Sequence, residues 1–73
     1  MNVYKIQISN EKTDSMLFRR TIGYAAGKNE YEALKELGFW KLALVKTFNE
    51  KSTVWQYKAE NAAGCILYIE KFV

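Results

Sequence analysis

The chain has 73 residues, of which 49% are hydrophobic and 15% aromatic; it carries a formal net charge of +3, one cysteine, and neither histidine nor proline. A chain of this length is one domain, and so small a domain needs a dense core or a covalent staple. The single cysteine, Cys65, excludes an internal disulfide. The framework of a small secreted domain is therefore excluded too, and the chain is expected to work in a reducing, cytoplasmic compartment. No charged-then-apolar leader opens it, and no apolar run approaches the roughly 18 residues that span a bilayer, so no membrane role is expected.

Val3 to Ser9 alternates, with Tyr4, Ile6 and Ile8 on one side and Lys5 and Gln7 on the other. That is the pattern of a half-buried strand. Asn10 to Ser15 is a polar loop. Met16 to Ala25 reads as a second strand in which Phe18, Ile22 and Tyr24 share a parity that Arg20 interrupts. Either a bulge re-aims the arginine or it lies near the strand's frayed beginning. Asn29 is placed to cap a helix, with Glu32 three residues on and Glu30 also in the first turn, where carboxylates favour the helix dipole. Tyr31, Leu34 and Leu37 recur at helical spacing and are expected to face the sheet, and Gly38 fits a left-handed C-terminal cap.

Phe39 to Phe48 fits two patterns. As a strand it places Trp40, Leu42 and Leu44 on one face and Lys41, Ala43 and Val45 on the other; as a helix it gives a stripe of Trp40, Ala43, Leu44, Thr47 and Phe48. The stop at Gly38 and the polar loop Asn49 to Ser52 favour the strand, as the first arm of a hairpin. Thr53 to Ala59 alternates clearly, Glu60 to Gly64 is a turn, and Cys65 to Val73 is the last strand. The expected fold is α+β, an antiparallel sheet of about four to five strands with one short helix on one face, in the order β-β-α-β-β-β. Its buried face would hold Ile6, Ile8, Ile22, Leu42, Leu44, Trp55, Tyr57, Leu67 and Ile69.

Catalytic and metal chemistry find little footing. The absence of histidine removes the commonest general base and metal ligand, and a lone Cys65 lacks an activating partner. Glu32 and Glu36 lie one helical turn apart but nothing else converges on them, and Gly23, Gly27, Gly38 and Gly64 are too scattered to cradle a phosphate. No enzyme activity, cofactor or metal is expected.

The face left open by the helix carries more information. Strand parity gives it Lys5, Gln7, Arg19, Thr21, Lys41, Val45, Gln56, Lys58 and Tyr68. Led by Lys5, Arg19, Lys41, Lys58 and Tyr68, this set suits an acidic protein surface, or a nucleic acid whose phosphates the cations neutralise and whose bases stack on the tyrosine. A merely solvated, lysine-blunted sheet would look the same. Trp40 reads first as a lid on the helix–sheet core; exposed beside a basic face, it would be an interface anchor.

The leading strand Val3-Tyr4-Lys5-Ile6, the short helix after a second strand, and the later aromatic–lysine strand Trp55-Gln56-Tyr57-Lys58 form a layout. That layout resembles phage-encoded inhibitors of the anti-CRISPR kind, from which this chain departs in its longer first loop and its last strand. The resemblance implies a phage or mobile-element protein whose basic surface docks on a larger host protein or ribonucleoprotein complex and blocks its nucleic-acid binding. It carries over no individual residue. Direct nucleic-acid binding and homodimerisation are the alternatives.

Overall fold

The computed structural model describes residues 2–12, 19–47 and 53–72. The elements are β1 (Asn2–Asn10), β2 (Arg20–Gly27), α1 (Glu30–Glu36), β3 (Ala43–Thr47), β4 (Val54–Lys58) and β5 (Cys65–Lys71), with a short 3-10 turn at Glu60–Ala62. The five strands form one sheet in the order β2-β1-β5-β4-β3, every neighbouring pair antiparallel. This is the α+β layout expected from the alternation of the chain, but not the meander that would be its simplest packing, because the first strand pairs with the last. The expected start of the second strand at Met16 to Phe18 and the loop at Asn49 to Ser52 lie outside the described residues.

Register sorts the strands into two faces. On the helix side, Leu44, Tyr57, Leu67, Ile8 and Arg20 form one rung and Thr47, Trp55, Ile69, Ile6 and Gly23 the next. Ile6, Leu67, Ile69, Tyr4 and Tyr57 join Leu34 and Ala33 of the helix in the core, with Ile8, Phe39, Leu42 and Trp55 packed against them.

The helix is short, so its ends and its tertiary seat have to hold it. Asn29 is extended and its side chain accepts from the Glu32 amide at 2.9 Å. At the other end Gly38 has φ +98, its N–H donates to Lys35 O, and the Phe39 N–H donates to Leu34 O. These two bonds make a Schellman motif, satisfying carbonyls that would otherwise be orphaned. Both caps lie where the sequence placed them.

The sequence misplaced the buried side of β2. Ile22 and Tyr24 are exposed, while Ala25 and Gly27 are buried. The helix packs mainly on β2, and it does so closely: a Cβ on Gly27 would lie 2.8 Å from the Ala33 nitrogen. Only the small residues of β2 leave room for a helix backbone, so the large ones turn to the opposite face. The register shift on β2 between Gly23 and Thr21 separates Arg20 from Tyr24, so of the two explanations for the parity conflict it is the bulge that the structure shows. The helix is turned for the same reason. Ala33 and Leu34 are its buried residues, while Tyr31 and Leu37, expected to face the sheet, stay partly exposed.

The segment after the helix is also corrected. β3 begins at Ala43, not Phe39, and Lys41 adopts φ 51, a left-handed conformation that no strand residue takes. Leu44, expected in the core, is 53% exposed, because the helix seats over β2 and leaves the β3 end of the sheet uncovered.

Candidate binding surfaces

The open sheet face does gather most of the expected residues. Lys5 lies between Tyr24 and Glu70 in register, and the next rung runs Thr21, Gln7, Tyr68, Gln56 and Lys46. Lys5, Gln7, Arg19, Val54, Tyr68 and Glu70 line a shallow hollow of about 350 Å³. Its chemistry differs from the expectation in three ways. The Tyr68 side chain is not offered to solvent: the residue is 2% exposed, and the Arg19 guanidinium lies 3.6 Å from its ring centroid. A base cannot stack on a ring face that a guanidinium already occupies. Lys58 is held in an ion pair with Glu11. Lys41 has left the face altogether, since it precedes β3 and pairs with Glu60 at 3.1 Å. What the face presents instead is apolar: Tyr24 is 51% and Phe72 59% exposed, their rings in edge contact at 5.0 Å.

A second surface lies on the helix side, at the C-terminal end of α1. Tyr31, Lys35, Gly38, Phe39, Trp40 and Lys41 line a groove of about 330 Å³, at the lower end of the range for ligand pockets. Trp40 is 56% exposed, so it is not the core lid that its position suggested. Its backbone, however, is held from both sides. The Trp40 N–H donates to Asn61 Oδ1 at 3.1 Å, Asn61 Nδ2 donates to Gly38 O at 3.0 Å, and the Glu60 N–H donates to Trp40 O at 3.1 Å. The Lys41–Glu60 ion pair lies beside the same junction, exposed on both sides. Asn61 thus clips the exit of the helix to the turn before β5, and the indole projects from a fixed base. Sequence reasoning passed over Asn61, which looked like an ordinary turn residue; its partners lie more than twenty positions away.

The groove's inner wall is rigid as well. Tyr31 packs beside Tyr57 with ring centroids 6.4 Å apart, and the Tyr57 hydroxyl donates to the Glu30 carboxylate at 2.7 Å. Burial, then this hydrogen bond, holds the Tyr57 phenol well above its usual pKa of about 10. Because the folded pKa is the higher one, the stability it contributes is complete below pH 10 and is lost as pH rises beyond it. Tyr57→Phe is therefore expected to cost about 1.5–3 kcal/mol at neutral pH, as for a bond to a charged group. Urea unfolding of both proteins from pH 7 to 11 should show that difference shrinking above about pH 10; a constant difference would mean that the hydroxyl is not anchored to Glu30.

Among the described residues, no cluster of three histidine, cysteine, aspartate or glutamate side chains is placed to hold a metal, and no helix is long and apolar enough to cross a membrane. Cys65 is a free, half-buried thiol. Comparison with known proteins finds no match: no family model, curated protein or solved structure is similar to the chain.

Proposed function

We propose that the chain is a non-catalytic binding module that acts by stoichiometric occupation of a larger protein or ribonucleoprotein partner. The observation that carries this reading is Trp40, more than half exposed on a backbone that makes two hydrogen bonds of its own, with a third from Asn61 to the nearby Gly38 carbonyl. Exposing an indole forgoes burial worth about 2 kcal/mol or more, and pinning its backbone lowers the entropy lost when a partner closes over it. Tryptophan and tyrosine, the groove's two amphipathic aromatics, are the residue types that dominate binding energy at protein interfaces. The layout resemblance supplies the specific form of the proposal, a phage or mobile-element inhibitor of a host surveillance complex.

Direct nucleic-acid binding is the second reading, favoured by Lys5, Arg19 and Lys46 on the open face. The covering of Tyr68 and the presence of Glu70 within that face weigh against it.

Co-purification from host lysate, run with and without nuclease treatment, separates the two. Trp40→Ala should change stability by no more than about 0.5 kcal/mol, as for an exposed side chain, yet weaken partner binding by about 2 kcal/mol, which is about thirtyfold in Kd. The Lys5→Glu/Arg19→Glu variant should retain the partner. Recovery of nucleic acid alone, abolished by Lys5→Glu/Arg19→Glu and indifferent to Trp40→Ala, would reject the protein-binding module in favour of the second reading.

A further inference from the structure

The charges around α1 are segregated. Glu32 and Glu36 line a separate hollow with Ala26, Gly27 and Lys28, on the β2 side of the helix. Lys35, the basic residue of the helix's last turn, lines the Trp40 groove with its amine 5.7 Å from the Tyr31 ring centroid. Lys41 lines the groove as well, and among the described residues no carboxylate does. The ion pair that Lys41 makes with Glu60 is solvent-exposed on both sides, and such pairs hold their partners weakly enough to be exchanged. Two of the carbonyls at the end of α1, which would repel an anion, those of Leu34 and Lys35, are engaged by the Phe39 and Gly38 amides. Among the described residues, the groove therefore joins an aromatic wall to two cations, of which Lys35 stands over Tyr31 and Lys41 has the exposed Glu60 carboxylate beside it.

We infer that this groove takes an acidic peptide segment of the partner protein. One apolar or aromatic side chain seats against Trp40, Tyr31 and Phe39, and flanking carboxylates meet Lys35 and Lys41. The inference rests on the binding-module reading and gives it a ligand chemistry. The volume fits one or two side chains rather than a folded surface, so the recognised element is short and its specificity comes from the pairing of charge with the apolar anchor.

The test is panning of a random heptapeptide library on the intact protein, with the enriched peptides then compared for binding to Trp40→Ala. Enriched peptides are then titrated into isotope-labelled protein. The expected consensus is an aromatic or aliphatic residue flanked by Asp or Glu, with amide shifts concentrated at residues 31, 35 and 38–41. Lys35→Glu/Lys41→Glu, checked for an unchanged melting temperature, should weaken binding at least about tenfold. A basic or uncharged consensus, or binding indifferent to that charge reversal, overturns the inference. Shifts centred on Lys5, Tyr24 and Phe72 overturn it too while leaving the binding-module reading in place. A concentration-dependent dimer abolished by Trp40→Ala would assign the groove to a second copy of the chain and likewise overturn it. A library that yields nothing, together with nucleic acid as the sole material recovered from lysate, overturns both readings.

Discussion

Leu34→Ala is expected to remove about 2–5 kcal/mol of stability, the range for truncating a buried leucine to leave a cavity. A domain of this size holds about 4–11 kcal/mol in total at the usual stability per residue, so the variant should lose a large share of its stability. The size of the effect follows from how the helix is attached. Seven residues of helix do not persist in water by themselves. Its buried residues are Ala33 and Leu34, and of the two only Leu34 is large. The leucine sits at full burial among Tyr4, Ile6, Tyr57, Leu67 and Ile69, while its carbonyl accepts the Phe39 N–H that closes the helix. Chemical denaturation should show the midpoint falling, and amide exchange should show protection lost first at residues 33–39. A cost under about 1 kcal/mol would mean that the caps and the Glu30–Tyr57 bond suffice to hold the helix, and the packing described here would be wrong.

Gly27→Ala is expected to destabilise by about 1–3 kcal/mol, as overpacking does, and Gly27→Val by more. The added Cβ would meet the Ala33 nitrogen at 2.8 Å, and Ala33 Cα and Asn29 O at 3.2 Å. All three are backbone atoms of the helix's first turn, and the Ala33 N–H is itself bonded to Asn29 O at 3.1 Å. None can rotate aside as a side-chain tip would, so the first turn has to lift from β2. Gly23 provides the control, since a Cβ there meets nothing within 4 Å. Gly23→Ala should be neutral or stabilise by about 0.4–1 kcal/mol by restricting the unfolded chain. Equal urea midpoints for the two variants would mean that α1 does not rest on Gly27.

These two positions also mark where the sequence stopped being legible. Local chemistry wrote itself plainly: Asn29 and Gly38 bound the helix, and the alternations in Val3 to Ser9 and Thr53 to Ala59 put Ile6 and Tyr57 in the core. The side of β2 that is buried was not local. Hydrophobicity favoured Ile22 and Tyr24, but the deciding quantity was the distance to a helix backbone, which selects small residues. Gly23, Ala25 and Gly27 at period two, just before a capped helix, were the available signal. The candidate site divides in the same way. Lys5, Arg19 and Tyr68 share a face as strand parity implied, but that Arg19 would lie over the tyrosine ring was invisible because it depends on a contact between distant strands. Lys41 and Trp40 were misassigned for a related reason. Their segment alternates like a strand, yet the Asn61 side chain and the Glu60 amide hold it out of the sheet, and that clip replaces a core lid with an exposed anchor.

The central claim is that Trp40 and its groove, rather than the open sheet face, meet the partner. Hydroxyl-radical footprinting of the free protein and of its isolated complex tests it most directly, because Trp40, Tyr24 and Phe72 start from similar exposures of 56%, 51% and 59% and so serve as mutual controls. The expected result is protection of Trp40 and Tyr31 in the complex, with Tyr24 and Phe72 oxidised at unchanged rates. Protection of Tyr24 and Phe72 with Trp40 still reactive would contradict the account and return the binding surface to the open face of the sheet.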